Sequence, residues 1–102
     1  IFLATSYEGS GTHTVSRRCF HPKPAVDSVL LRLDRRPSPF LFTAETRILI
    51  RHLFTRRRKQ LATLAKAEES ETRDRLETWL ARENLSPTLR PEQVAAENWR
   101  SL

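Results

Sequence analysis

The sequence has a single cysteine, Cys19, and only two glycines, Gly9 and Gly11. One cysteine excludes an internal disulfide and a zinc site built from clustered cysteines. Both glycines fall in the segment 8–11, which we predict to be a turn. The chain therefore belongs to no disulfide-stapled or zinc-ribbon class.

Long apolar runs are also missing. No stretch approaches the roughly 20 residues that a membrane-spanning helix needs, and no basic segment is followed by an apolar signal core. The simplest compartment is the cytoplasm, and we expect no membrane partner. There is no methionine, and the last residues, NWRSL, resemble an unfinished amphipathic helix. Both features suggest a piece of a longer protein.

Positive charge is abundant but confined to one block. The net charge is +6. Residues 17–66 carry thirteen Lys and Arg against three acids, whereas residues 67–102 carry five Arg against eight acids. A concentrated basic block attracts polyanions, of which nucleic acid is the commonest and an anionic membrane surface the next. A merely solubilising face is the alternative.

The first third of the chain has the texture of strands and loops. Alternation and β-branched residues predict a strand over 12–20, and a short apolar run predicts a second strand, buried on both faces, over 29–33. Prolines make 21–28 a stiff, extended loop. Residues 34–39, with two more prolines, are predicted to be a linker. Periodicity leaves 1–7 unassigned.

Helical patterning begins at Thr43, a plausible N-cap. No Gly or Pro follows until well past Lys66, which predicts one helix from there to Lys66. Its apolar stripe comprises Ile50, Leu53, Phe54, Leu61 and Leu64. The spacing places Arg47, Arg51 and Arg58 on a second stripe, and Arg57 on the apolar stripe itself.

A further helix is predicted over 68–84, with Asn84 as its stop and a buried face formed by Leu76, Trp79 and Leu80. Ser86-Pro87 and Arg90-Pro91 each read as a cap followed by a first-turn proline. A last helical face then carries Val94, Trp99 and Leu102, and both tryptophans are predicted to fill core.

The segment FHPKPAVDSVLLRL, starting at Phe20, resembles the F-x-P-x-P-x-V-[DN]-S motif and following strand of the rRNA adenine N6-methyltransferases. That superfamily includes the KsgA (RsmA) dimethyltransferases and the Erm resistance methylases. Two further segments favour the KsgA branch. FTRRRKQL, residues 54–61, is similar to its F-x-x-R-R-K-x-[IL] segment, and NLSPTLRPEQV, residues 84–94, resembles its G-[IL]-x-P-x-x-R-[PA]-E-x-[IL] segment. In the family pattern Gly is usual at Asn84, Asn is common at Thr63, and a capping Ser or Thr is frequent at Ala95.

The resemblance implies a mainly α fold. A C-terminal helical domain of about three helices, residues 37–102, would follow the last hairpin-like strand pair of a Rossmann-type methyltransferase sheet, residues 1–36. The full-length family enzymes use S-adenosylmethionine. Their cofactor loop and catalytic motif have no counterpart in this sequence, so no catalytic, cofactor-binding or metal residue is expected here, and this fragment alone is expected to be inactive.

The resemblance also implies roles for particular residues. Phe20 would stack on the target adenine once that base has left its helix. Pro22 and Pro24 would hold the loop so that Phe20 is already in place. The competing interpretation makes Phe20 a core residue sealing the end of the sheet. Asp27 and Ser28 are expected to cap the loop, and His21 is expected to be a bystander.

The expected partner is small-subunit rRNA or a precursor of the 30S subunit, bound by a monomer. The predicted phosphate-gripping residues are Arg47, Arg51, Arg56, Arg57, Arg58 and Lys59. Two alternatives stay open: an Erm-like 23S rRNA methylase fragment, and a helical RNA-binding module with no enzyme attached.

Overall fold

A two-stranded antiparallel sheet forms the first part of the computed structural model, which describes residues 1–102. A short helix, α1 (Phe2–Ser6), leads into strand β1 (Tyr7–Val15), and β1 pairs with strand β2 (Ser28–Arg35). The chain divides into two compact units, Phe2–Pro39 and Phe40–Leu102, with Ile1 grouped with the second. The predicted strand pair is therefore present, but its bounds differ from those expected.

The predicted turn at 8–11 is wrong, because these residues lie within β1. Gly9 pairs with Leu33, and the register shifts between Ser10 and Thr12, which leaves Gly11 as an extra residue in the strand. Gly11 has φ of +63°. A glycine in left-handed conformation at such a position is a β-bulge, which lets an antiparallel strand absorb one extra residue. The glycines thus serve the strand rather than ending it.

Burial of β2 on both faces was also wrong. Every residue of the strand is exposed, including Val29, Leu30 and Leu31, at 53–62% of their surface. Apolar side chains on successive positions point to opposite faces of a strand. Since the sheet has only two strands, neither face is covered. The apolar run predicted the strand correctly, but burial would require a further layer.

The second unit contains three α-helices, α2 (Ala44–Phe54), α3 (Leu61–Lys66) and α4 (Ser70–Arg82). Thr43 is confirmed as the N-cap of α2, since its hydroxyl accepts a hydrogen bond from the Thr46 amide. By element type the whole chain is mixed α/β, with helices prevailing from residue 44 onward. None of the helices has both the length and the apolar character that crossing a bilayer requires.

The single helix predicted up to Lys66 is wrong, because the chain leaves helical geometry between Phe54 and Leu61. The amides of Leu61 and Ala62 donate to the carbonyls of Leu89 and Pro87, at 2.8 and 3.0 Å, instead of continuing the helix. Four consecutive cations, residues 56–59, occupy the break. Arg56 and Lys59, three positions apart, would be neighbours on an unbroken helix, where like charges are destabilising. Hydrogen bonds to a distant segment thus favour a break in the helix, although the sequence from 43 to 66 contains no Gly or Pro.

The core of the second unit matches the predicted apolar faces closely. Phe54 is half-buried, and its ring centroid lies 5.6 Å from that of Trp99. Trp79 and Trp99 are fully buried with ring centroids 4.7 Å apart, so the prediction that both fill core is confirmed. The other predicted core residues that are buried are Ile50, Leu53, Leu61, Leu64, Leu76, Leu80 and Val94.

Asn84 ends α4 as predicted. It has φ of 52°, and two hydrogen bonds close the helix, from the Asn84 amide to the Ala81 carbonyl and from the Leu85 amide to the Leu80 carbonyl. This pairing is a Schellman motif, whose left-handed residue is usually Gly and sometimes Asn. Asn84 can therefore stand where the family pattern has glycine.

The C-terminal segment contains two 3-10 helices, Pro91–Gln93 and Ala96–Ser101. Pro91 is the first helical residue, as predicted, whereas Ser86-Pro87 begins no helix. The Ser86 carbonyl instead accepts a hydrogen bond from the Leu89 amide, which closes a turn. Ala95 precedes the last 3-10 helix without a side-chain cap.

Candidate nucleic-acid interface

The loop that joins the two strands begins with a 3-10 turn at Arg17–Cys19. The Arg17 amide donates to Asp27 Oδ1 at 2.7 Å, and Arg17 Nη1 donates to the Ala25 carbonyl at 3.2 Å. These two contacts tie the start of the loop to its end. Asp27 thus bonds the loop backbone, as predicted, and Arg17 is a partner that the sequence pattern did not reveal.

Phe20 lies at the end of this 3-10 turn and not in a strand, contrary to the predicted strand over 12–20. Its backbone is extended, with φ −116° and ψ 147°, and its side chain is 45% exposed. An aromatic ring with nearly half its surface open to solvent does not seal a core. Phe20 is therefore not buried by the residues of this chain, and the interpretation of Phe20 as a core residue of a covered sheet stays a prediction.

The proline segment continues from Phe20 without regular secondary structure. Pro22 is exposed, Pro24 is half-buried, and the His21–Pro22 peptide bond is cis. Cys19 and His21 are both exposed. The loop thus places Phe20 at the surface. It connects Val15, the last residue of β1, to Ser28, the first residue of β2, and these two residues are paired.

The basic residues after α2 form the most strongly charged feature of the second unit. We call residues 56–59 the basic turn. Arg57, Arg58 and Lys59 are exposed, and no carboxylate lies within 4.0 Å of their charged groups. With Phe54 and Thr55 the turn lines a concavity of about 270 Å³. Arg57 was predicted to lie on the apolar stripe; the helix break places it in solvent instead.

Arg56 differs from its neighbours in the basic turn because it has an acidic neighbour. Its Nη2 lies 3.9 Å from Glu68 Oε1 and 3.4 Å from His52 Nε2. The His52 ring nitrogen Nε2 is itself 2.9 Å from Glu68 Oε1, but the geometry is not that of an aligned hydrogen bond. The Glu68 carboxylate therefore offsets part of the positive charge of Arg56.

Arg47 and Arg51 lie one turn apart on α2, the first half-buried and the second exposed. Each has a contact with other groups of the protein. Arg58, predicted to share their stripe, lies beyond the end of the helix. The six predicted RNA-binding residues are thus divided between two on α2 and four in the basic turn.

Residues 85–90 fold back onto the start of α3 through the hydrogen bonds from Leu61 and Ala62. The residue after Leu89 is Arg90, which is exposed and has no acidic partner within 4.0 Å. Arg90 is 31 positions from Lys59 in the sequence, but the hydrogen bond from the Leu61 amide to the Leu89 carbonyl joins residues close to each of them in the chain.

A model of the family described as "Ribosomal RNA adenine dimethylase" matches residues 3–98. The chain belongs to this family. The match spans both the loop that carries Phe20 and the basic turn, so the resemblance seen in the sequence motifs is confirmed for nearly the whole chain.

Several relatives of the chain are named ribosomal RNA small subunit methyltransferase A. The chain is 45% identical, over its full length, to the ribosomal RNA small subunit methyltransferase A of Opitutus terrae, and 38% identical, over 86% of its length, to that of a Synechococcus species. It is also 28% identical to the mycinamicin-resistance protein MyrB of Micromonospora griseorubida. The chain spans about a third of the length of the curated relatives it matches.

The motif resemblance implies that the cofactor is bound at a glycine-rich turn between a strand and a helix. Gly9 and Gly11 both lie inside β1, paired with or bulging from β2, and neither opens a helix. The residues of this chain therefore do not fit a binding site for S-adenosylmethionine, and none of them is assigned to the cofactor.

Proposed function

We propose that this chain supplies the substrate-base loop and the rRNA-docking helices of a small-subunit rRNA adenine N6,N6-dimethyltransferase that uses S-adenosylmethionine. The methyl transfer itself belongs to parts of the enzyme outside this chain. The enzyme acts as a monomer in the cytoplasm on 16S rRNA or a precursor of the small subunit. The proposal rests on Phe20, which is 45% exposed. Its loop is closed by the hydrogen bond between the Arg17 amide and Asp27, in a chain that matches the family model over residues 3–98.

The chemistry requires the target adenine to be held outside its helix. Its exocyclic N6 is a poor nucleophile because the lone pair is delocalised into the ring, so the amine must be brought to the methyl donor in a fixed orientation. An aromatic side chain that stacks on the base contributes about 1–3 kcal/mol per base. Phe20 is suited to this role because its ring is open to solvent while its loop is fixed by Arg17 and Asp27.

The basic turn is suited to the phosphate backbone. Three unpaired cations in sequence, residues 57–59, give a high local density of positive charge at the surface, and phosphate contacts orient a protein on RNA without reading sequence. Arg47, Arg51 and Arg56 extend the charged surface. We assign these residues to docking, with Arg56 contributing least because Glu68 lies close to it.

The uncovered sheet supports a division of the chain into two functional parts. We assign residues 1–36 to the end of a Rossmann-like methyltransferase domain, in which further strands or helices would cover Val29, Leu30 and Leu31. Exposed apolar side chains on both faces of β2 are expected of a strand taken from a covered sheet. We assign residues 37–102 to the helical docking domain, the part that is mainly α.

A domain replacement tests this proposal. The segment of the Opitutus terrae methyltransferase that aligns with this chain would be replaced by residues 1–102, and dimethylation of small-subunit particles would be measured with radiolabelled methyl donor. The replaced enzyme is expected to dimethylate small-subunit rRNA, and its Phe20→Ala variant is expected to lose activity while still binding rRNA. A folded chimaera with no activity on small-subunit particles would contradict the proposal.

An Erm-like methylase of 23S rRNA is the second candidate, favoured by the match to a mycinamicin-resistance protein. The same chimaera assayed on both subunits distinguishes the two, because methylation confined to large-subunit rRNA would support this second candidate. RNA binding by the isolated chain, with no activity in either chimaera assay, would instead support a stand-alone RNA-binding module.

A further inference from the structure

A groove between α2 and α4 in the second unit takes no part in the proposed function. Its volume is about 600 Å³. One wall is formed by positions 45, 48, 49 and 52, and the other by positions 68, 71, 72 and 75. The spacing of three, four and seven residues places positions 45, 48, 49 and 52 on one face of α2. Positions 71, 72 and 75 likewise share one face of α4, and Glu68 precedes the first residue of that helix. The groove is therefore a seam between two helix faces.

The groove offers an apolar contact. Leu49 lines it and is only 9% exposed, whereas Ile48 lines it and is 68% exposed. A single exposed apolar residue is ordinary on a protein surface. Ile48 differs because it adjoins a concave seam whose lining also includes Leu49, so that one apolar side chain of a partner could contact both residues.

The charge of the groove is opposite to that of the basic turn. Glu45 and Glu71 line it and have no cation within 4.0 Å. The Arg75 guanidinium is bonded within the protein, to Thr46 Oγ1 at 2.6 Å and to the Leu102 carbonyl at 2.9 Å. Glu68 also lines the groove, but its carboxylate is partly offset by Arg56, so the unpaired negative charge of the groove comes from Glu45 and Glu71. A phosphate backbone would be repelled here, and a cationic partner would be attracted.

We propose that the groove between α2 and α4 binds a basic amphipathic helix of a partner protein. The seam from position 45 to position 52 is about 10 Å long at 1.5 Å per residue, which is about two helical turns. Helices that bind in grooves present apolar residues at spacings of three and four, which here meet Ile48 and Leu49. Lys or Arg beside them would pair with Glu45 and Glu71. This proposal does not depend on the assigned methyltransferase role.

The test uses the 102-residue chain and a fluorescein-labelled designed peptide of about 18 residues, with leucines on one helical stripe flanked by lysines. Binding would be measured by fluorescence anisotropy and compared with a peptide of the same composition in scrambled order. Ile48→Gln is expected to weaken binding at least about 5-fold. Glu45→Gln and Glu71→Gln are each expected to weaken it about 2- to 5-fold and to reduce its salt dependence.

Matched variants outside the groove control for non-specific hydrophobic binding and for the change in net charge. Leu41→Gln removes an apolar side chain that is 73% exposed, and Glu77→Gln removes an exposed carboxylate of α4 that does not line the groove. Both are expected to leave binding unchanged. Near-ultraviolet circular dichroism of the stacked tryptophans verifies folding of each variant, and Ile48→Ala replaces Ile48→Gln if the latter is unfolded.

Three results would overturn the proposal. The first is equal binding of the ordered and scrambled peptides, and the second is equal weakening by the groove variants and the two controls. The third is a concentration-dependent dimer, seen by light scattering, that Ile48→Gln abolishes, because the occupant would then be a second copy of this chain.

Discussion

The indole Nε1 of Trp79 donates a hydrogen bond of 2.7 Å to the main-chain carbonyl of Asn98. Two arginines on the same helix act similarly, since Arg75 donates to the carbonyl of Leu102 and Arg82 to that of Ser101. One face of α4 therefore satisfies the carbonyls at the end of the last 3-10 helix, groups that helix termini leave without partners.

Replacing Trp79 by Phe should destabilise the protein more than replacing Trp99 by Phe. Both side chains are fully buried, but the Trp99 Nε1 has no hydrogen-bond partner. Trp79→Phe removes the 2.7 Å hydrogen bond to the Asn98 carbonyl, which then retains the longer one from the Ser101 hydroxyl at 3.3 Å. The lost bond costs about 0.5–1.5 kcal/mol, in addition to the lost ring volume that both variants share. Urea unfolding followed by far-ultraviolet circular dichroism measures the difference, and equal midpoints would contradict the assigned role of the hydrogen bond.

Asn84 should tolerate Gly but not a β-branched residue. Its φ of 52° lies in the left-handed region, where a residue such as Val costs about 1–2 kcal/mol. Asn84→Val should therefore lower the free energy of unfolding by that amount, while Asn84→Gly should change it little. Thermal unfolding of both variants tests this. A neutral Asn84→Val variant would mean that the Schellman ending contributes nothing to stability.

Within the basic turn, Arg58→Gln should weaken rRNA binding more than Arg56→Gln. Arg58 is exposed with no acidic neighbour, whereas Arg56 Nη2 is 3.9 Å from Glu68 Oε1. Each lost phosphate contact should also lower the slope of log affinity against log salt by about 0.7–0.9. Filter binding of small-subunit rRNA at several salt concentrations measures both effects. Lys66→Gln, which removes an exposed cation outside the turn, serves as the control.

Asp27→Asn should reduce methylation by the chimaeric enzyme while leaving rRNA binding unchanged. The Asp27 carboxylate accepts the Arg17 amide at 2.7 Å, and a charged acceptor makes a stronger hydrogen bond than a neutral one. Weakening this hydrogen bond makes the loop that carries Phe20 more mobile but leaves the aromatic ring present. Turnover should fall by less than for Phe20→Ala, for which losing about 1–3 kcal/mol of stacking predicts about 5- to 150-fold. An Asp27→Asn variant with unchanged turnover would exclude a positioning role.

The sequence predicted the core of the second unit well because its helices follow simple periodicity. Ile50 and Leu53 on α2, and Leu76 and Trp79 on α4, are each three positions apart, as on one helix face, and are buried as expected. The stop at Asn84 was also predictable, since few residue types accept a left-handed conformation. The family could also be identified from the sequence. The F-x-P-x-P and Arg-Arg-Lys motifs are recognised from residue identities alone and need no knowledge of the fold.

Other features could not be predicted because they depend on contacts between distant segments. The break before Leu61 depends on its hydrogen bond to Leu89, which periodicity over a short window does not register. The bulge at Gly11 looked like a turn, since glycine serves both structures. The charge of Arg56 is modified by Glu68, twelve positions away. The clasp between Arg17 and Asp27 spans ten positions.

The pairing of Leu61 with Leu89 and of Ala62 with Pro87 also has an engineering consequence. Residues 56–59 (RRRK) grafted alone onto another protein would form a continuous helix or a flexible loop. Their conformation here depends on hydrogen bonds to a segment almost thirty residues downstream. The smallest unit that could be transplanted is therefore discontinuous in sequence. It comprises residues 56–59, the six-residue helix α3, and the Ser-Pro-Thr-Leu segment, residues 86–89, whose carbonyls bind the start of that helix.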